Sequence, residues 1–289
     1  MRFEYLEPAS LSEAITLLDR YNNRAKIIAG GTDLVIQMRK RKIRPEYVIA
    51  ISRLTELDYI RFAGNELQIG ALTTISTLEK ATELKEKYPA IPQMALQMAT
   101  PGIRNMATLG GNLSNAAPSA DSAPILIALS AKVKIKSPQG ERILPLKDFC
   151  TGPGSTCLEK NELLTEIQIP LPPPHTGAVY LKQQARGAGD TAMAGVAIAL
   201  TLEPQEEVCR EVTIVLGAVA AKPIRVMGAE QVLKGKKLED KLLEESSVVA
   251  SKWAKPKSDF HVPMAYRIAM VEVFTRRALR EALKLARIT

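Results

Sequence analysis

The residues best able to do chemistry in this chain are two glycine pairs in small, polar surroundings, rather than nucleophiles or metal ligands. The first stands in Ile28-Ala29-Gly30-Gly31-Thr32-Asp33-Leu34 and the second in Thr108-Leu109-Gly110-Gly111-Asn112. Adjacent glycines let the backbone reach positive φ and leave no Cβ between main chain and ligand. Where such a turn runs into a helix N-terminus, free N–H groups and the helix dipole favour an anion. The first pair follows a short apolar strand from Ala25 and precedes an amphipathic helix reaching Met38. The second is followed by small and hydroxyl residues through Asn115, Ser119 and Asp121, then by an apolar run, Ala123 to Leu129, that reads as a buried helix. Taken singly, such a pair reads first as a tight turn with a helix cap. Neither is GxGxxG, which disfavours a Rossmann dinucleotide site. Neither is GxxxxGK followed by Ser or Thr, which excludes a triphosphatase P-loop. Two such loops far apart in sequence suit one elongated diphosphate ligand gripped from two sides.

Catalytic constellations are missing. The histidines are His175, in a proline-rich linker, and His261, before the last helix. With Cys150, Cys157 and Cys209 scattered and no CxxC pair, no zinc site or iron–sulfur cluster has its ligands. A Ser-His-Asp triad would have to recruit one of two loop histidines. No catalytic residue and no metal ligand are therefore expected.

The elements that must position the glycine pairs read as an α+β chain. Ser10-Leu11-Ser12-Glu13 resembles a capping box, with Leu11, Ala14, Ile15 and Leu18 on one helical face behind it. Tyr47 to Ile51 reads as a buried strand, and Tyr59 to Ala63 with Leu67 to Gly70 as a hairpin. Thr73, Thr74 and Thr77 open a helix to about Leu84, and a second spans roughly Ala90 to Met98 before the Pro101-Gly102 break. Lys132 to Lys136 alternates as a half-wet strand, and Glu162 to Ile169 is the last strand of this half. Pro170-Leu171-Pro172-Pro173-Pro174 is a stiff connector. It divides a domain over 1–174, with subdomains of about 1–56 and 57–174, from a second over 175–289. Beyond it, three strands (Ala178 to Gln183, Met193 to Leu202, Val212 to Val219) with turns at Pro204 to Glu207 and Ala221 to Pro223 precede three helices, the last from Pro263 to Arg287. That last helix turns Ile268, Val271, Ala278, Ala282 and Leu285 inward and Arg276, Arg277, Arg280, Lys284 and Arg287 outward. Its basic face reads either as solvated or as a docking surface. The run Arg39-Lys40-Arg41-Lys42 reads in the same two ways, as a solvated helix end or as an anion contact.

Composition sets the outer bounds. The 289 residues suffice for two domains with real cores, and 46% hydrophobic with 24% charged residues is ordinary for a globular chain. No apolar run approaches the ~20 residues of a membrane span. The N-terminus lacks a signal-peptide core, and three cysteines without a pairing pattern suit a reducing cytoplasm. The net charge of +8 admits a nucleic acid or an acidic partner. Aromatic residues are too few beside the basic runs for a nucleic-acid platform.

The two glycine stretches, in this order, resemble the FAD loops of the flavoprotein medium subunits of molybdenum hydroxylases, of the carbon monoxide dehydrogenase and bacterial xanthine dehydrogenase type. Arg104-Asn105-Met106-Ala107 leads into the second loop as that family's arginine-containing approach does. Phe149 to Gly154, then Tyr180-Leu181-Lys182, Arg186 and Asp190, also fall in the family's order, so the resemblance covers essentially the whole chain. It implies a two-subdomain FAD domain of the PCMH/VAO-like kind, followed by a small three-stranded antiparallel sheet with helices. It implies that Ile28 to Leu34, Thr108 to Asn112, Asn115, Ser119, Asp121, Leu164, Lys182 and Met98 contact noncovalent FAD. Asp121 reads either as a contact to a cofactor hydroxyl or as a plain helix cap. Met98 departs from the family, where an aromatic residue is common; a thioether packs on a ring but does not stack like one. The implied role is electron transfer. A large molybdenum-cofactor subunit oxidises substrate, a small subunit with 2Fe–2S clusters relays electrons to FAD, and the three chains form a dimer of heterotrimers. The alternative is a stand-alone flavin reductase or oxidase of the same fold, which needs its own proton donor.

Overall fold

The computed structural model of the protein describes residues 2–185, 189–204, 207–256 and 262–288. Arg186 and His261, and the middle of the turn at 204–207, lie outside them. The chain opens with β1 (Glu4–Leu6), α1 (Leu11–Tyr21), β2 (Ala25–Ile28), α2 (Leu34–Arg39) and β3 (Tyr47–Ala50). The strands form a parallel sheet in the order β1-β3-β2, because each is joined to the next through a helix. Ser10 caps α1 by accepting the Glu13 N–H, while the Glu13 carboxylate takes the N–H of Ala9. Ala14, Ile15 and Leu18 are buried in one small core with Ile49, Ile51, Leu54 and Leu57.

The hairpin β4 (Ile60–Ala63) and β5 (Glu66–Gly70) follows as expected. Six helices come next: α3 (Ile75–Lys80), α4 (Thr82–Lys87), α5 (Ala90–Gln97), α6 (Pro101–Arg104), α7 (Leu109–Asn115) and α8 (Ser122–Ala128). The half ends with β6 (Lys132–Ser137), β7 (Gly140–Pro145), α9 (Leu146–Phe149), β8 (Cys150–Gly152), β9 (Ser155–Thr156) and β10 (Leu163–Pro170). The antiparallel sheet runs β4-β5-β10-β6-β7, so its last strand in sequence is its central one.

Three local readings change here. The helix expected from Thr73 to Leu84 is two helices, because Ala81 takes an extended conformation (φ −61°, ψ 103°) between them. Pro101-Gly102 does not break structure; Pro101 starts α6, where its missing N–H costs nothing. The second glycine pair lies inside the first turn of α7, not in a loop before α8.

The chain continues with β11 (Thr176–Gln183), β12 (Ala194–Leu202), β13 (Cys209–Gly217), β14 (Ile224–Arg225), α10 (Met227–Leu233), α11 (Asp240–Ser251) and α12 (Met264–Ala286). The small antiparallel sheet thus has its three expected strands plus a two-residue fourth at the edge, β11-β12-β13-β14. The connector between the halves is not free, since the Leu171 N–H is held by the Asn65 carbonyl at 2.9 Å. On one side the sheet packs Tyr180, Ala197 and Val215 into the core that holds α5 and α8; on the other, Val196, Ile198 and Leu200 share a core with Val271, Ala278 and Ala282 of α12. Part of the basic face of α12 is spent inside the chain, with Arg280 on Asp240 at 3.0 Å and Arg276 on Glu244 at 3.5 Å. No helix among the described residues is long and apolar enough to cross a membrane.

Candidate binding cleft

The two glycine stretches meet. Ile28, Ala29, Gly30, Gly31, Thr32, Asp33 and Leu34 form one wall of a cleft of about 470 Å³, and Thr108, Gly110, Gly111, Asn112 and Asn115 form the other, with Leu164 on β10. A cleft of that volume is in the range of ordinary ligand sites. Gly30 is what lets the walls touch: a Cβ there would sit 1.6 Å from the Met106 carbonyl oxygen. Gly31 adopts φ +70°, a region that favours glycine and turns the chain from β2 into α2. Across the cleft the Gln37 amide donates to the Asn115 side chain at 3.1 Å, tying α2 to the end of α7.

The hydrogen bonding of the two stretches differs. In the second, every N–H at the start of α7 has a protein acceptor. Leu109 donates to the Thr73 carbonyl, Gly110 to Ala71, Gly111 to the Thr108 hydroxyl and Asn112 to the Thr108 carbonyl, at 2.9–3.1 Å. Its glycines serve packing: a Cβ on Gly110 would press on Ala71, and one on Gly111 would reach the Thr108 hydroxyl at 2.8 Å. The expectation of free donors on both stretches therefore holds for the first alone. Among the described residues, no N–H from Ala29 to Leu34 donates a hydrogen bond within the protein. These residues are half-buried or exposed along the cleft wall, so their N–H groups face the cleft without an acceptor from the protein, an arrangement that suits an anion.

The remaining expected residues do not line this cleft. Leu109 is fully buried in the main core. Met98 is in that core too, and its carbonyl accepts from the buried Arg104 guanidinium at 3.1 Å. Arg104 also binds Glu79 at 2.7 Å and the Ala99 carbonyl at 3.1 Å, which gathers the end of α5 onto the approach to α7. Ser119 is half-buried in the turn before α8. Asp121 and Lys182 face one another: the ammonium is 2.8 Å from the carboxylate, and Tyr180 donates to the other carboxylate oxygen at 2.7 Å. Asp121 makes no cap hydrogen bond to α8. Burial pushes the Asp121 carboxyl up, against the pull of Lys182 and Tyr180, and pushes the Tyr180 hydroxyl further above its ordinary range.

Residues that the sequence reading did not assign to the site complete the cleft, including Lys26, Gln37, Gly154, Leu158 and Glu162. Gln37 was findable, since it follows Asp33 by one helical turn and so shares its face. Glu162 was not, because its place depends on the register of β10. Arg142 holds it in a two-pronged pair at 2.7 Å, which keeps its carboxyl below the ordinary glutamate range. Asp33 is pushed up by burial alone.

Comparison with known proteins identifies the family. The family described as the FAD binding domain in molybdopterin dehydrogenase matches residues 1–172, and the CO dehydrogenase flavoprotein C-terminal domain matches 179–282. The chain belongs to the flavoprotein subunits of the molybdopterin dehydrogenases. It is 35% identical to the glyceraldehyde dehydrogenase medium chain of Sulfolobus acidocaldarius, over 96% of this chain and 98% of that one. It is 35% identical to the carbon monoxide dehydrogenase medium chain of Afipia carboxidovorans, over 97% and 96%. Among solved structures, carbon monoxide dehydrogenase from Hydrogenophaga pseudoflava superposes with a TM-score of 0.95 at 32% identity, covering 99% of this chain and 98% of that one. The chain is thus an FAD-binding subunit of an oxidoreductase in the molybdenum hydroxylase family, and FAD is its cofactor.

Proposed function

We propose that this chain is the electron-transfer flavoprotein subunit of a cytoplasmic molybdenum hydroxylase. FAD held by this chain would supply redox chemistry between the 2Fe–2S clusters of a small partner subunit and an acceptor, while a large molybdenum-cofactor subunit would oxidise the substrate. The assembly in this reading is a dimer of heterotrimers. The observation that carries it is the unpaired N–H run from Ala29 to Leu34, facing Thr108, Asn112 and Asn115 across the cleft. That donor set suits a diphosphate, and the absent Cβ of Gly30 keeps the two walls close enough to hold it. Ala29 to Leu34 would bind the diphosphate through main-chain donors, Asn112 and Asn115 would offer side-chain amides, and Leu164 would give an apolar wall. Met98, Leu109, Ser119, Asp121 and Lys182 act from behind the wall, by holding α5, α7, α8 and β11 in register. The same reading divides the chain into a cofactor domain, 1–174, with subdomains 1–56 and 57–174, and a second domain, 175–289. The core that Val196, Ile198 and Leu200 share with α12, built wholly from residues beyond the connector, supports this division, although the opposite face of the same sheet packs into the core of the first half.

Purification from the native source tests the proposal. The expected result is one FAD per copy of this chain, with iron and molybdenum carried by co-purifying subunits. Among the described residues no group of His, Cys, Asp or Glu is arranged to hold a metal. A flavin-free chain that takes up no added FAD, or stoichiometric iron in the separated polypeptide, would overturn it.

A further inference from the structure

The parallel sheet has one face covered by α1 and one that α2 covers only in part. Side chains alternate along a strand, so Leu6, Ile27 and Ile49 enter the core beneath α1. Phe3, Tyr5, Ile28 and Val48 point the other way and, with Val35 and Met38 of α2, line an apolar groove of about 390 Å³. Phe3 is 43% exposed, Tyr5 52% and Val35 44%. Parallel sheets are ordinarily covered on both faces, and a contiguous exposed apolar patch rimmed by polar groups marks an interaction site. The rim here has one sign. Arg39 and Arg41 complete the groove, no acidic residue lines it, and Lys40 and Lys42 stand exposed beside them. Among the described residues, none of these four cations has a carboxylate within 4 Å.

We propose that this groove docks another polypeptide of the complex, through a segment that carries an apolar side chain flanked by Asp or Glu. The inference rests on the reading of this chain as one subunit among several. Charge complementarity selects the occupant. A second copy joined face to face would set the same cations against each other, and a nucleic-acid backbone would meet an apolar wall. Ile28 lines both the groove and the cofactor cleft, so the docked segment presses on the strand end that carries the N–H run.

The test uses the intact native complex, with a photo-crosslinking residue at position 5 and, separately, the charge reversal Arg39→Glu/Arg41→Glu. A crosslink from position 5 to a different subunit, at a peptide containing Asp or Glu, is expected. The reversal should weaken association by about tenfold or more at low salt, with the difference shrinking as salt rises, while FAD content per chain stays at the wild-type level. Lys85→Glu, at an exposed position on α4, is the comparison and should assemble normally. An assembled complex with no crosslink, a crosslink to a second copy of this chain, or undiminished association of the reversal variant sinks the inference and leaves the subunit reading standing. A wild-type chain that co-purifies with no other polypeptide removes both.

Discussion

Gly30 rests directly against the carbonyl oxygen of Met106, and this contact joins the two glycine stretches. A Cβ on Gly30 would sit 1.6 Å from that oxygen, far inside any tolerable contact, and Met106 is main chain that does not swing aside. Gly30→Ala should therefore part the cleft walls. Forced overpacking costs about 1–3 kcal/mol, which corresponds to roughly a five- to hundredfold weaker hold on FAD if the strain falls on the bound state. Flavin fluorescence quenching on the apoprotein measures it. Gly102→Ala, where an added Cβ meets nothing within 4 Å, is the control and should bind as wild type. Equal loss in both variants would argue for general destabilisation.

The second glycine pair invites a different test. Thr108 accepts the Gly111 N–H at 3.1 Å and so caps α7. Thr108→Val removes the acceptor, and the loss of a cap costs about 1 kcal/mol of stability. Thr108→Ser keeps it and should lose little. Thermal unfolding of the two apoproteins separates them; a loss in Thr108→Ser as large as or larger than that in Thr108→Val would mean that the hydroxyl is not what holds the start of α7.

Asp121 and Lys182 are sealed together where α8 meets β11. Removing one member strands the other charge, so Lys182→Met should cost about 3–5 kcal/mol in denaturant unfolding. Asp121→Asn combined with Lys182→Met should cost less than the sum of the single changes, because no lone charge remains. Additive losses would show that the pair is not coupled.

Glu162 provides a pH signature. Its pairing with Arg142 lowers its carboxyl below the ordinary value of 4.5. The folded state therefore binds its proton less readily than the unfolded chain. The resulting stability is present above about pH 4.5 and is lost as pH falls through the lowered folded value. Glu162→Gln should melt below wild type at pH 7, by on the order of 1 kcal/mol since Arg142 is partly exposed. That gap should narrow as pH falls below about 4.5 and vanish once the folded-state carboxyl is protonated. A gap independent of pH would assign the loss to packing.

Much of this was legible in the residues. The capping box at Ser10, the amphipathic face of α1, the alternation of Lys132 to Lys136 and the proline connector each act over a few residues, so local spacing reports them. The glycine pairs were legible as tight backbone turns next to a helix start for the same reason. The chemical type of a loop is local.

Three things were decided only by tertiary structure. The first is that the two stretches face each other, which depends on β10 crossing to the centre of its sheet and on Arg104 gathering the end of α5. The second is the division of labour between them. Glycine at 110 and 111 reads the same as glycine at 30 and 31, yet Ala71 and Thr73, distant in sequence, supply the carbonyls that quench the N–H groups at the start of α7. The third is the fate of Asp121 and Lys182. They are separated by 60 residues of chain, and no local pattern says that burial will force them to neutralise each other instead of facing the cleft. Hydrogen-bond satisfaction and charge pairing are properties of what surrounds a group, and in these three cases the surroundings come from elsewhere in the chain.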